Sequence, residues 1–339
     1  MLQNTIKKLA DGRHLTEAEA AGAMSVIMEG AATPAQIASF ITALRVKGET
    51  VDEIAGCARI MREKAVHISP AVANCVDTCG TGGDGAQTFN VSTAAAFAAA
   101  AAGAAVAKHG NRSVSSRCGS ADVLEALGVN IALTPRQVEA CIETTGIGFL
   151  FAPSFHPSMK HAAGPRKELG IRTVFNVLGP LTNPAGACAQ VLGVFNAAFA
   201  AKMAEVLARL GTDRALVVHG GDGLDEITVT APTFVHEVNG ADVKSYEIEP
   251  SHFGLSRALP ETLKGGDAAQ NAEIILSIFQ GEKGPRRDIV VLNAAAALYA
   301  AKKADSLKTG VAMAGVALDA GLALKKLEAL KAFTAALKS

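Results

Sequence analysis

The stretch from Cys79 to Thr93, CGTGGDGAQTFNVST, restricts the fold of this 339-residue chain more than any other. It follows a short apolar run that begins at Val76 and precedes an alanine-rich segment, so it predicts a strand, a glycine-rich turn and a helix. Consecutive glycines let backbone N–H groups face an anion, and a helix N-terminus adds donors and a favourable dipole. The stretch indicates an α/β fold with an anion site, although a tight turn without a ligand remains the alternative.

Two known phosphate-binding templates fail on this stretch. Gly80, Gly82 and Gly85 match the dinucleotide pattern G-x-G-x-x-G, but that pattern needs an acidic residue about 20 positions further on. After Asp84 the next acidic residue is Asp122, and no Lys-Ser or Lys-Thr pair closes the loop as a P-loop requires. A carboxylate beside phosphate oxygens is repulsive unless a metal or a sugar hydroxyl intervenes. The loop therefore favours a phosphorylated sugar.

Two further polar segments follow predicted strands, where α/β sheets bind ligands. Lys108 to Ser116, KHGNRSVSS, holds two cations, an amide and three hydroxyls, and a helix start follows at Gly119 to Asp122. His219 to Glu226, HGGDGLDE, is rich in carboxylates, which suit Mg²⁺ beside a polyphosphate. These segments predict a second anion site and a metal site, with an exposed polar loop and a solvated acidic turn as the alternatives.

Two residues between these segments are candidates for binding an organic substrate. Arg166 can bind a carboxylate through two parallel hydrogen bonds, although a surface arginine on a charged helix is more common. His156 precedes Pro157, so it either lines a pocket or caps the following helix.

The chain divides into two regions that differ in their pattern of apolar residues. Up to about residue 70, Thr16, Thr33 and Thr50 each begin a capping-box pattern before apolar residues at helical spacing, which predicts three packed helices. The remainder alternates short apolar runs with helical stretches, as an α/β domain does. Strands are predicted at 76–79, 104–107, 130–133, 148–151, 190–195 and 215–219, and the chain is helical again from about residue 268.

Composition limits the classes of partner. The 32 basic and 32 acidic residues cancel, so no whole-molecule field attracts nucleic acid or an anionic membrane. The N-terminus lacks the apolar core of a signal peptide, and six cysteines without a C-x-x-C pair suit reduced thiols. We expect a cytoplasmic protein that binds neither nucleic acid nor membranes.

The motifs together resemble those of the anthranilate phosphoribosyltransferases, which act in tryptophan biosynthesis. The matching segments run in order through the chain and include GTGGD, NVST, KHGNR, GSADVLEALG, FAPSFHPSMK, GPRKELGIRTVFNVLGPLTNP and the pair Asp225 and Glu226. The resemblance implies a homodimer with a helical domain at 1–70, joined by segments near 165–190, and a larger α/β domain at 71–339 with a central sheet flanked by helices.

The resemblance also implies the roles of individual residues. Phosphoribosyl pyrophosphate (PRPP) would contact Gly80, Gly83, Asp84, Thr88, Asn90, Val91, Ser92, Thr93, Lys108, His109, Gly110, Asn111, Arg112, Ser113, Val114, Ser115, Ser116 and Ser120. Mg²⁺ would be held by Ser92, Asp225 and Glu226, and the catalytic cations would be Lys108 and Arg112. Anthranilate would meet Gly80, Asn111 and Arg166, with His109, Pro153 and His156 along its approach.

The reaction implied by the resemblance is attack of the anthranilate amine on the ribose anomeric carbon, with release of pyrophosphate. Electrostatic stabilisation of the leaving group would then be the main catalytic effect. A pyrimidine nucleoside phosphorylase is the nearest rival, but it would carry a lysine soon after its glycines, where this loop has Asp84. A nucleic-acid-binding protein of similar architecture is a second alternative, which the zero net charge and the Asp225–Glu226 pair disfavour.

Overall fold

The computed structural model describes residues 2–113 and 117–337. The chain begins with four helices, one more than the three predicted: α1 (Leu2–Ala10), α2 (Glu17–Met28), α3 (Pro34–Lys47) and α4 (Val51–Glu63). The three predicted capping boxes are confirmed, because the hydroxyls of Thr16, Thr33 and Thr50 each accept the backbone N–H three residues further on. Each hydroxyl satisfies a donor that the helix itself leaves unpaired.

The larger region follows as a mixed sheet and its helices. In chain order its elements are β1 (Val76–Gly80), α5 (Val91–Ala101), β2 (Val106–Gly110), α6 (Ser120–Ala126), α7 (Pro135–Thr145), β3 (Ile147–Phe151), α8 (Ala152–Phe155), α9 (Lys160–Leu169), α10 (Phe175–Leu178), β4 (Ala189–Gly193), α11 (Ala197–Arg209), β5 (Arg214–Gly220), β6 (Thr233–Asn239), β7 (Asp242–Ile248), α12 (Ala268–Phe279), α13 (Pro285–Ala300), α14 (Leu307–Asp319) and α15 (Leu322–Ala336).

The strand order is β3-β2-β1-β4-β5-β6-β7. Strands β1 to β5 run parallel to one another, whereas β6 is antiparallel to β5 and β7 is antiparallel to β6. The chain leaves β1 towards β2 on one side and reaches β4 on the other, so the direction of winding reverses between β1 and β4. Open α/β sheets bind ligands in the crevice outside the carboxyl ends of such strands, and the glycine-rich stretch begins at this point.

The sheet separates two hydrophobic cores. Side chains alternate in face along a strand, so Leu216 and Val218 of β5 join the core around α5 and α13, while Val217 points to the other side. That second core contains the four N-terminal helices, α11 and apolar residues of the segment around Val174 and Leu178, and these elements together form the helical layer. The fold class predicted from the sequence is confirmed; the domain boundaries at residues 70 and 71 stay a prediction.

Some predicted elements are displaced or absent. Residues 130–133 form no strand. The side-chain oxygen of Asn130 accepts the Ala132 N–H at 3.0 Å, and the backbone N–H of Asn130 donates to Thr334 Oγ1 at 3.2 Å. The backbone N–H groups of Asn130 and Ala132 thus bond to side chains, one in the distant α15 and one local, and not to a neighbouring strand. The predicted strand at 104–107 begins two residues later, at Val106, because the first half of that apolar run ends the preceding helix turn.

None of the individual helices described is long and apolar enough to cross a bilayer, although α14 and α15, bent by 68°, reach the required length as a pair. All six cysteines lie within the described residues, and no two of them form a disulfide.

Candidate functional site

A cleft of about 370 Å³ opens at the carboxyl ends of β1, β2 and β4. It brings together almost every described residue that the sequence marks for a role. Its wall includes Gly80, Gly83, Asp84, Thr88, Asn90, Val91, Ser92, Thr93, Lys108, His109, Gly110, Asn111, Arg112, Ser113, Ser120, Arg166, Asp225 and Glu226. Val114, Ser115 and Ser116 lie outside the described residues.

Asp225 approaches the end of β1 so closely that any side chain in place of Gly80 would have to displace its carboxylate. A Cβ atom on Gly80 would overlap Asp225 Oδ2. The same carboxylate oxygen accepts the N–H of Gly82 at 2.7 Å. The carboxylate segment that follows β5 is therefore held directly against the glycine loop that follows β1.

Glu226 reaches the start of α5. Its Oε1 accepts the backbone N–H of Ser92 at 3.1 Å, and Lys108 Nζ donates to Ser92 Oγ at 3.3 Å. The Lys108 ammonium also donates to the carbonyl oxygen of Thr78 and is only 3% exposed. Ser92 is therefore fixed between a carboxylate and a buried cation.

The carboxylates in the cleft oppose one another. Burial, followed by the charge of Asp84, raises the pKa of Asp225 to about 7. Burial and the charge of Asp225 raise the pKa of Glu226 well above its ordinary value, against the attraction of Lys108. A bound cation would offset both burial and repulsion.

The donor set suits a hard cation that shares its coordination with a ligand. Within residues 2–113 and 117–337, no three His, Cys, Asp or Glu side chains form a ready cation cage. Mg²⁺ usually takes one or two carboxylates and completes its octahedron with water and phosphate oxygens. The hydroxyl of Ser92 and the carboxylates of Asp225 and Glu226 fit that requirement.

The guanidinium of Arg112 is turned away from the glycine loop. Its Nη1 and Nη2 bind Glu125 at 2.5 and 2.9 Å, and Nη1 also binds Asp122 at 3.1 Å. Asp122 in addition accepts the Gly119 N–H at 2.8 Å and so caps α6. Arg112 lines the cleft, but its guanidinium must leave these carboxylates to reach a phosphate.

The two predicted acceptor-side histidines form a buried pair, in which His109 lines the cleft and His156 lies behind it. The rings of His109 and His156 lie 5.1 Å apart, and the residues are 6% and 7% exposed. Burial, together with the neighbouring imidazole, lowers the pKa of His109 to about 3, and burial lowers that of His156 to about 4. Both rings are therefore neutral near pH 7.

Of the remaining acceptor-side residues, Arg166 reaches the cleft and Pro153 does not. The Arg166 guanidinium lies over the Phe175 ring, 5.1 Å from its centroid, and burial lowers its pKa. Pro153 is exposed on α8. Pro153 and His156 are not part of the cleft wall as the described residues form it; His156 contacts it through His109.

The sequence prediction missed several wall residues, of which Arg172, Phe175 and Asn176 lie on the segment between α9 and β4. They belong to the long motif GPRKELGIRTVFNVLGPLTNP, but nothing in their spacing marks them for the cleft. A second arginine six positions after Arg166, in a glycine- and proline-rich segment, was the available signal.

Comparison with known proteins places the chain in a family. Residues 3–65 match the family model of the glycosyl transferase family, helical bundle domain, and residues 72–324 match that of the glycosyl transferase family, a/b domain. A protein of Acetivibrio thermocellus named anthranilate phosphoribosyltransferase is 61% identical over 98% of this chain and 97% of its own length.

Solved structures agree. The anthranilate phosphoribosyltransferase of Thermus thermophilus superposes with a TM-score of 0.93 at 49% identity, covering 98% of this chain and 99% of that one. The yeast anthranilate phosphoribosyltransferase in complex with PRPP and Mg superposes with a TM-score of 0.89 at 29% identity. The structure of the yeast enzyme in complex with 4-fluoroanthranilate superposes with a TM-score of 0.89 at 28% identity. Both yeast comparisons cover 99% of this chain and 98% of the yeast chain. The chain therefore belongs to the anthranilate phosphoribosyltransferase family.

Proposed function

We propose that this chain transfers the phosphoribosyl group of PRPP to the amine of anthranilate, with release of pyrophosphate, in the cleft at the ends of β1 and β4. The observation that carries the proposal is the contact of the Asp225–Glu226 segment with both the glycine loop and Ser92. It joins backbone donors for phosphate to carboxylates for a cation. A sugar pyrophosphate needs both.

The donor would lie along the loops after β1 and β2. Its pyrophosphate would contact Gly80, Gly83 and Ser92, and the N-terminus of α5, which begins at Val91, would face it. Thr88, Asn90, Thr93, Lys108, the residues from His109 to Ser116 and Ser120 complete the proposed donor site. The yeast family member bound to PRPP and Mg supports this assignment.

The proposed magnesium ligands are Ser92, Asp225 and Glu226, with Asp84 facing the same space. Magnesium bound there would supply positive charge to the pyrophosphate as it leaves. Lys108 adds a buried ammonium close to Ser92, and a fixed charge in a buried position stabilises developing negative charge better than a mobile one in water. No covalent nucleophile is required, because the amine attacks the anomeric carbon directly.

The acceptor would enter from the side of Arg166. Its guanidinium and the amide of Asn111 would bind the carboxylate of anthranilate, with Gly80 beneath the ring. His109 would line the approach with a neutral imidazole, and His156 would hold that ring in place from behind. Pro153 would sit at the outer end. The yeast family member with 4-fluoroanthranilate supports an aromatic carboxylate as the ligand class.

We also propose that two copies form a homodimer. In the proposed dimer, a second copy would cover Val46, an apolar side chain near the end of α3 that is 82% exposed. Light scattering at micromolar concentration tests this: a particle of twice the 34.6 kDa chain mass supports it, and a monomer contradicts it.

The assignment of the reaction is tested by following anthranilate fluorescence after mixing the pure protein with PRPP and Mg²⁺. Loss of fluorescence that requires all three components supports the proposal. Folded protein that leaves the signal unchanged overturns it. A chelator control, in which excess EDTA stops the loss and added Mg²⁺ restores it, tests the proposed metal requirement separately.

A further inference from the structure

Arg172 joins two parts of the molecule that the sequence treats as separate. Its backbone lies between α9 and α10, next to Val174 and Phe175, which are buried in the core of the helical layer. Its guanidinium crosses to the glycine loop, where Nη2 donates to the carbonyl oxygen of Thr81 at 3.1 Å. The Phe195 ring supports the guanidinium from below, with its centroid 4.5 Å away.

This hydrogen bond completes the anchoring of Thr81. The Thr81 N–H donates to the carbonyl oxygen of Gly193 at 2.9 Å, and its hydroxyl accepts the Phe195 N–H at 3.4 Å. With Arg172 on its carbonyl oxygen, Thr81 is tied to β4, to the segment after β4 and to the helical layer. Gly82 is held in turn by Asp225. The turn is thus fixed from both sides before a ligand binds.

The Arg172 guanidinium also packs directly against Gly83. Gly83 has a φ of +81°, and a Cβ atom added there would overlap Nη1 of Arg172. Gly85 has a similar φ of +72°, but a Cβ added there would meet no atom within 4 Å. An alanine at either position would have an unfavourable positive φ, but only the alanine at position 83 would also overlap Arg172.

The other cations of the cleft cannot do the same. Lys108 is bound to Thr78 and Ser92, Arg112 to Asp122 and Glu125, and the Arg166 guanidinium lies over Phe175, as described above. The charges acting on Arg172 are those of Asp225, which attracts it, and Arg45, which repels it. A guanidinium held beside a carboxylate and a phosphate-type loop is pre-organised for planar hydrogen bonding.

We propose that Arg172 is a positioning residue for the phosphoribosyl donor: it fixes the turn at Thr81 and Gly82 so that the backbone N–H groups that follow, from Gly83 onwards, meet the pyrophosphate. Because Arg172 shares a segment with Phe175, against which Arg166 packs, it also ties the donor loop to the wall of the acceptor site. The proposal rests on the function proposed above.

Kinetics of Arg172→Gln test the role. We expect the KM for PRPP to rise about tenfold or more, because small displacements of binding groups cost about this much, while the KM for anthranilate changes less than about threefold. Arg172→Lys, which keeps the charge, should recover part of the loss. Arg257→Gln on the exposed surface is the matched control and should leave both constants unchanged. Equal changes in both KM values, or no rescue by lysine, would overturn the proposal.

A double-mutant cycle distinguishes a specific effect of Arg172 on PRPP binding from a general loss of stability. Gly83→Ala should weaken PRPP binding strongly in the wild-type background and at least about fivefold less in the Arg172→Gln background, because contacting residues are not additive. Gly85→Ala should cost the same in both backgrounds. Additive behaviour of Gly83→Ala and Arg172→Gln would contradict the contact on which the proposal depends.

The readout for this cycle is calorimetric binding of PRPP with Mg²⁺, without anthranilate. If the wild-type protein binds PRPP but does not consume anthranilate, the proposed reaction fails while the cycle still decides the role of Arg172. If the wild-type protein is active and the cycle is additive, only the inference on Arg172 fails.

Discussion

The carboxylate of Asp225 accepts a hydrogen bond from the backbone N–H of Gly82 at 2.7 Å, across 143 positions of sequence. One residue belongs to the loop after β5 and the other to the loop after β1. Because β4 lies between these strands and ends in glycine, the two loops meet directly above it. The anion-binding backbone and the carboxylates of the proposed metal site are therefore one structural unit.

This contact leads to a prediction for Asp225→Asn. The amide oxygen can still accept the Gly82 N–H, so the fold should be kept, but the charge that would attract a cation is lost. We expect the Mg²⁺ concentration for half-maximal activity to rise about tenfold or more, since charge count sets the affinity of such sites. A Mg²⁺ titration of activity measures it. Asp242→Asn, on an exposed strand, is the control, and an unchanged titration of the Asp225 variant would refute the metal assignment.

Arg166→Ala should separate the two substrates. The guanidinium lies against Phe175, and Arg166 forms part of the cleft wall, so we expect the KM for anthranilate to rise more than that for PRPP, by about tenfold or more if a bidentate carboxylate pair is lost. Steady-state kinetics with each substrate varied in turn give both constants. The neighbouring exposed Lys167→Ala should change neither. A parallel rise of both constants in Arg166→Ala would rule out the assigned role.

The buried histidines predict how stability depends on pH. The folded protein holds His109 and His156 at pKa values of about 3 and about 4, below the ordinary 6.5. The unfolded chain therefore binds more protons below pH 6.5, and the free energy of unfolding falls as the pH falls from 6.5 towards 4. Each histidine contributes about 1.4 kcal/mol per pH unit in this window.

Urea unfolding at pH 7.5 and pH 5.5 measures this dependence. His109→Asn should reduce the difference in unfolding free energy between the two pH values, whereas His252→Asn on the exposed surface should not. Identical pH dependence in the wild type and His109→Asn would show that the imidazole is not buried in its neutral form.

Glu53 should be the most costly charged residue to remove from the helical layer. Its side chain accepts the N–H groups of Leu15 at 2.9 Å and Thr50 at 2.8 Å and pairs with Lys47 at 2.8 Å, with both charged side chains almost fully buried. Burial raises the pKa of Glu53, but these bonds outweigh it and the net shift is downward. The carboxylate is therefore ionised where it is buried.

Glu53→Ala leaves the buried Lys47 ammonium without its carboxylate partner, although it keeps a hydrogen bond to the Gly48 carbonyl oxygen. Loss of one member of a buried ion pair costs about 3–5 kcal/mol in comparable pairs. Chemical denaturation at pH 7.5 measures the loss. The exposed pair of Arg13 and Asp11 provides the comparison: Asp11→Ala should change the free energy of unfolding by less than about 0.5 kcal/mol. A similar loss in both variants would mean that the Lys47–Glu53 pair is not buried in solution.

Features that depend on residues close together in the chain were predicted correctly, and features that depend on distant residues were not. The caps at Thr16, Thr33 and Thr50 were predictable because each joins residues three positions apart. The strand at 130–133 was predicted wrongly because an apolar run does not reveal that a distant helix, α15, supplies the hydrogen-bond partner.

The same distinction applies to the cleft. The residue types of its phosphate-binding loops and carboxylates were visible in the sequence, because each motif is continuous. The sequence does not show that Arg112 binds Glu125 or that His156 lies behind His109. Both contacts depend on how α6 and α8 pack.

The sequence by itself determined the chemical groups of this protein: glycine-rich loops after strands, a carboxylate pair, and the order of helices and strands that carries them. Only the tertiary structure decided which of these groups share a site, because the reversal of winding between β1 and β4 brings loops together that lie far apart along the chain. The stretch that begins at Cys79 specifies a turn with backbone donors. Asp225 and Arg172, reaching it from β5 and from the helical layer, determine where those donors lie.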